Sequence, residues 1–292
     1  MSGVGGKVSA ASARSHTRKS HKNSSSESAL LLFIGIVSWA YQAIQIPPPK
    51  QCGSQDGPPV TAPRIKLRDG RYLAYKEHGV PKTMPNTKSC LFMALTPADM
   101  MHFQCLRLAG AALVAPVVNY WWPGFPANVS KDAYYDQLGP DQWALRVAHY
   151  VPWLTYWWNT QNLFPSSSVA AHDPRIFSPP DMSVAAKFEA RSYADQITQQ
   201  GKYGSHHLDM IIGFGSWEFD PMDLKNPFPN NEGSVHLWHG DDDLLVPVKL
   251  QRYIAQKLPW IHYHELTDAG HLFPLADGLS DRLIKSLLVG DK

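Results

Sequence analysis

Apolar and polar residues alternate through RIKLRDG (Arg64 to Gly70) and RYLAYKEHG (Arg71 to Gly79), and the Asp69-Gly70 pair between them predicts a two-stranded hairpin with a tight turn. CLFMAL (Cys90 to Leu95) is uninterruptedly apolar, as a short buried strand is. Thr96, Pro97 and Asp99 supply a cap, a first-turn proline and an acid for a helix running to about Arg107. AGAALVAPVV (Ala109 to Val118) is a second apolar strand, so the pattern predicts a βαβ unit and a parallel sheet. From Asn119 to Asn231 the strand signal vanishes. Trp143, Val147, Tyr150, Trp153 and Trp157 recur there at three- and four-residue spacing, which predicts a helical insertion. SVHLWHG (Ser234 to Gly240) and IHYHELT (Ile261 to Thr267) are strands on either side of a helix ending near Lys257. A last amphipathic helix is expected, capped by Ser280.

A different pattern precedes this body. Residues 1–28 are rich in Ser, Gly and Ala, carry five Lys or Arg against the single acid Glu27, and show no apolar period, so they read as a disordered tail. Ala29 to Ile46 follows without a charge. As a helix it reaches roughly 27 Å, about the thickness of a thin bilayer, with Trp39 and Tyr41 toward one interface and Pro47-Pro48-Pro49 ending it. A signal-peptide core and a plastid transit segment share some of these features. A transmembrane or signal-anchor helix over 29–46 is the favoured expectation, with the endoplasmic reticulum as its membrane and the body on the lumenal side, where the sequon Asn128-Val129-Ser130 would be accessible. A Pro/Gly linker spans 47–63.

The formal net charge of +2 and the lack of a basic run interleaved with aromatics argue against a nucleic-acid partner. Cys52, Cys90 and Cys105 have no CxxC spacing, so neither a zinc site nor a disulfide framework is indicated. No cofactor or metal is expected. Six of the ten tryptophans, at 121, 122, 143, 153, 157 and 158, fall in the first part of the insertion, between Asn119 and Trp158. They read either as its own core or as the underside of a lid over an apolar acyl ligand.

Chemistry is concentrated near the C-terminus. HGDDDLLVP places Asp243 after one strand and DAGHLFP places His271 after the next. An acid and then a histidine at consecutive strand ends form the second half of a hydrolytic Ser-Asp-His triad. These two loops resemble those after the last two strands of the α/β-hydrolase fold, and LRDGRYLAYKEHG is similar to that family's opening hairpin. NYWWPGFP and the region from Gly213 to Gly240 resemble a plant subgroup of membrane-anchored, esterase/lipase-like members. The resemblance runs from about Pro58 to the end and implies an α/β domain over 64–292 with a Trp-rich helical cap at 119–231. It also implies hydrolysis of a carboxylic ester or related acyl bond without a cofactor. The family's spacing picks Asp243 over Asp241 and Asp242 as the acid that orients His271, the general base.

Two parts implied by the resemblance are missing. No G-x-S-x-G occurs, and GFGSW (Gly213 to Trp217) has its serine one place late. CLFMAL runs into TPADMM without the HG pair of an oxyanion loop; His78-Gly79 and His239-Gly240 stand elsewhere. Between Leu95 and Gly110 there is room for one helix, where the family has several elements. The expectation is therefore a narrowed sheet of about six strands and an esterase-like chain without its nucleophile, inactive in this form. The alternatives are a non-catalytic, membrane-anchored binding protein for an apolar ligand or partner and, ranked below it, a metal site from His236, His239 and Asp241 to Asp243, or from His262 and His264.

Overall fold

The computed structural model describes residues 24–48, 50, 52–57, 59–60, 64–66, 72–74, 89–93, 108–190 and 204–289. Most of the tail, the Asp69-Gly70 turn, His78-Gly79 and the helix expected at Pro97 to Arg107 lie outside them. The chain divides into two compact units, Met1–Ala43 and Ile44–Lys292. The first contains nearly all of α1 (Ser24–Ile44), which starts five residues before the uncharged run and ends two before its last residue. Its window Glu27–Ile44 has a mean hydropathy of 1.4 and is not buried within the protein, so α1 is long and apolar enough to cross a membrane. A signal sequence near an N-terminus has the same properties.

In the second unit the alternating segments pair as expected. β1 (Arg64–Lys66) and β2 (Tyr72–Ala74) are antiparallel, with Ile65 opposite Leu73. β3 (Ser89–Met93), β4 (Leu108–Val114), β5 (Ser234–Gly240) and β6 (Ile261–Leu266) form a wholly parallel sheet in chain order. Rather than six strands in one sheet, the described residues give four and two. β3 and β4 pair directly, Cys90 against Gly110 and Met93 against Leu113.

Strand periodicity decides what lies above and below the sheet. Val235 and Leu237 face one way and pack with Ala111, Phe228, Leu258 and Ile261. On that side lies α8 (Val248–Lys257), whose Leu250 is fully buried. Trp238 faces the other way, with Ala112, Val114, Phe273, Leu283 and Leu287. Leu283 and Leu287 come from α9 (Leu279–Val289), a four-residue spacing that puts both on one helical face. α9 begins one residue before Ser280, so Ser280 lies inside the first turn. Its hydroxyl donates to the Pro274 carbonyl at 3.3 Å instead of capping.

The insertion is helical, as its period indicates: α2 (Ala127–Tyr135), α3 (Gly139–Tyr150), α4 (Thr155–Thr160), α5 (Ser168–Ala171), α6 (Pro179–Ala190) and α7 (Gly204–Phe214). Its core is Tyr120, Trp122, Phe125, Tyr134, Ala144, Leu145, Ala148 and Met210, and Leu250 joins the same cluster. The aromatic stripe, by contrast, turns outward: Trp143, Tyr150 and Trp153 are more than half exposed. The small residues Ala144 and Ala148 let α3 approach its neighbours closely, so the bulky positions are left for the rim. Asp141 in the first turn of α3 accepts from the Ser168 backbone N–H at 2.7 Å and stitches α3 to α5; burial pushes its carboxyl up while that bond holds it down.

Leu250 links the sheet-covering helix to the insertion core. Leu250→Ala is expected to cost about 2–5 kcal/mol through lost burial and the cavity left behind, read as a lower urea midpoint.

Candidate active site

All four strands of the sheet are parallel, so their carboxyl ends share one edge, where α/β sheets place their chemistry. β5 leaves that edge into the acid loop and β6 into the histidine loop. The loops are laced together: Asp241 N–H donates to Leu266 O and Asp242 N–H to Ala269 O, both at 3.0 Å. A side chain at Gly240 would collide with this lacing, because its Cβ would fall 2.1 Å from the Ala269 oxygen. Close approach, not an unusual dihedral, is what requires glycine here.

The lacing brings Asp243 and His271 together. His271 Nδ1 donates to Asp243 Oδ2 at 2.9 Å. An ionised carboxylate only accepts, so Nδ1 carries the proton and Nε2 presents a lone pair. Nε2 makes no hydrogen bond among the described residues, and the imidazole is 24% exposed. Asp243 itself is buried, and its Oδ1 accepts from the backbone N–H groups of Leu245 (2.9 Å) and Val246 (2.8 Å). Burial pulls the His271 pKa down, but the Asp243 hydrogen bond and the charges of Asp243 and Asp181 outweigh it, leaving His271 above its ordinary value.

Three neighbours complete the site, and sequence reasoning did not assign them these parts. His239, fully buried, donates from Nε2 to Val246 O at 2.8 Å and lies 3.4 Å from Asp243 Oδ2. Its Nδ1 has no partner among the described residues. Burial holds its pKa down against the pull of Asp243. Asp181, at the start of α6 and 1% exposed, accepts from Leu272 N–H at 2.6 Å with Oδ1. Its Oδ2 accepts from the N–H and hydroxyl of Ser178, both at 3.1 Å. Ser178-Pro-Pro-Asp181 has the spacing of a capping box, a signal visible in the sequence; its docking beside His271 is not.

The remaining candidates scatter. Asp241 Oδ1 accepts from Ala269 N–H at 3.4 Å, a lacing contact. His236 Nδ1 lies 2.8 Å from His264 Nε2 and its Nε2 lies 2.9 Å from the Ser234 hydroxyl. His262 and His264 stack on His236, and His264 also stacks on Trp238 at 3.8 Å. His239 faces the opposite side of β5, so the proposed metal set is split by the sheet. Among the described residues no group of three or more His, Cys, Asp or Glu is arranged to hold a metal ion. GFGSW ends α7 and is not a strand-to-helix turn. Among the described residues no hydroxyl or thiol bonds His271.

The loop after β4 opens a second feature. Ala115 leaves the strand in the left-handed region (φ 44°), and the chain turns into Asn119 and Tyr120. Asn119 is buried and braces the turn, accepting from Trp121 N–H at 2.9 Å and donating to Gly215 O at 2.8 Å. Beyond it a cavity of about 410 Å³ lies among Tyr120, Trp121, Phe125, Tyr134 and Tyr150, with Arg146 and Lys131 as its charged members. Burial foremost, then the charges of Asp141, Asp243 and Asp136, push the Tyr120 phenol up and keep it protonated.

No family model matches the chain, and no curated protein matches it. Solved structures with some likeness include a thermophilic esterase from Thermogutta terrifontis, at 17% identity and a TM-score of 0.32 over 61% of this chain and 54% of that one. An esterase from Rhodococcus sp. ECU1013 matches at 14% identity and 0.32, again over 61% and 54%. A monoacylglycerol lipase from Paleococcus ferrophilus matches at 14% and 0.29, over 61% and 56%. This chain thus spans little more than half the length of these structures.

Gly240→Ala is expected to force the two loops apart and cost about 1–3 kcal/mol or more, measured by urea denaturation. Asp243→Asn is expected to lower the His271 pKa, because the burial that opposes charging remains, as read by NMR titration of its ring protons; an unmoved titration would refute the pairing. Because folded His271 holds its proton more tightly than the unfolded chain, its contribution is full below about pH 6.5 and fades as pH rises through the folded value. His239 has the opposite sign: its depressed pKa makes acidification below about pH 6.5 favour unfolding.

Proposed function

We propose that this chain is an esterase-like protein of the α/β-hydrolase type, with the acid and base of a Ser-Asp-His machine and without its nucleophile: a pseudoenzyme in this form. The observation that carries the reading is the Asp243–His271 hydrogen bond of 2.9 Å at the carboxyl edge of a parallel sheet, with Nε2 left to receive a proton. Asp243 holds the imidazole in the tautomer a general base needs and would stabilise the imidazolium. What the base would activate is absent from the sequence, since no G-x-S-x-G occurs. Without an acyl acceptor and oxyanion donors, turnover should fall by several powers of ten.

The plant membrane-anchored subgroup belongs to the same proposal, supported by the motifs around NYWWPGFP and by the apolar α1. On that reading α1 tethers the body to a membrane, the endoplasmic reticulum being favoured. A second reading, a non-catalytic binding protein for an apolar ligand, is supported by the aromatic cavity beyond Asn119.

The test of the first reading is direct. The full chain is expected to show no labelling by a fluorophosphonate probe and no turnover of p-nitrophenyl butyrate above that of His271→Ala. A covalent adduct on any serine would overturn it.

A further inference from the structure

The cavity beyond Asn119 has an uneven chemistry. Its body is aromatic: Trp121 stands edge-on to Tyr134, with ring centres 5.7 Å apart, and stacks on His149 at 4.2 Å. These rings are fixed from behind. His149 Nδ1 lies 2.7 Å from Phe214 O, and Trp121 donates its indole N–H to the Tyr150 hydroxyl at 3.1 Å. The second bond uses the hydroxyl as acceptor and leaves its own proton free to be given.

The polar inventory points one way. Arg146 and Lys131 are the charged groups among the lining residues, and no carboxylate is among them. The Arg146 guanidinium lies 5.0 Å from the Tyr134 ring centre and 5.2 Å from that of Trp143. Among the described residues it has no acid within ion-pair distance. The nearby Asp136 is engaged with Lys249, and Asp141 with the Ser168 backbone. The guanidinium of this half-buried residue, set against two rings and lining a cavity with no carboxylate, is suited to a planar anion, which it can grip with two parallel N–H bonds.

We propose that this cavity binds a monoanionic carboxylate whose remaining surface is apolar, the rings covering the body while Arg146, assisted by Lys131 and the Tyr150 hydroxyl, takes the carboxylate. This rests on the binding reading and gives it a ligand class; it does not require catalysis at His271. The cavity volume of about 410 Å³ is in the range that holds such molecules. A free acid of this kind is what ester hydrolysis releases, so the preference would place the site on the product side of acyl chemistry.

The probe pair is 2-naphthoate and its neutral amide, 2-naphthamide, titrated into the full chain by calorimetry and followed by tryptophan fluorescence. Saturable binding of naphthoate is expected, at least about tenfold tighter than the amide, weakening as KCl is raised because the contact is ionic. Arg146→Gln is expected to remove the preference for the anion, and Arg282→Gln, whose guanidinium lies over Trp238 in the α9 layer, to leave it unchanged. Equal affinity for both probes would overturn the carboxylate inference while leaving an apolar binding site. No binding of either would overturn both. Should Arg146→Gln fail to fold, the salt dependence of the wild-type chain decides: naphthoate affinity indifferent to KCl refutes the role of the cation.

Discussion

A carboxylate removed from water must have its charge supplied with donors, and Asp243 is the point at which this domain meets that requirement. Two backbone N–H groups of its own loop satisfy one oxygen, and an imidazole from the next loop satisfies the other. The acid loop therefore cannot take another shape without stranding a buried charge, and the histidine loop cannot leave. Gly240 makes the arrangement sterically feasible by letting the Ala269 carbonyl approach the strand end. His239 adds a second imidazole close to the same oxygen, kept neutral by burial, so Asp243 sits between one ring that favours the proton and one that refuses it.

The same logic reaches into the insertion. Asp181 is as deeply buried as any acid described and accepts three hydrogen bonds, two within its own helix start and one from the backbone next to His271. Gly270 is required there as well, because a Cβ would fall 2.2 Å from the Ser178 hydroxyl. The insertion is thus joined to the site by a charged contact and does not merely lie over it.

Much of the scaffold was legible in the sequence because burial on both faces forces continuous apolar runs, as at AGAALVA, and because Gly, Pro and Asp punctuate them. The pairing of Asp243 with His271 was legible for a different reason: each follows a strand of one parallel sheet, so adjacency of strands carries adjacency of loops. Asp181 was not, since its partner lies 91 residues away and local spacing shows only a helix cap. The outward turn of Trp143 and Tyr150 was hidden too. Periodicity reports that residues share a face but not which face the tertiary structure buries, and the alanines at 144 and 148 decide that. A metal site drawing on His236, or on His262 and His264, ranks lowest in the sequence reading; in the fold His262 and His264 stack on His236, and His236 and His264 share a hydrogen bond.

The link from α6 to Leu272 also constrains how such a protein can change. Segments inserted between strands generally tolerate exchange better than the elements they connect. Here a transplant that omitted Asp181 would leave the Leu272 amide without its acceptor and loosen the imidazole one residue away. Recombination at the borders of the insertion would therefore disturb the setting of His271 as well as the insertion itself, unless another acceptor arose in the incoming segment.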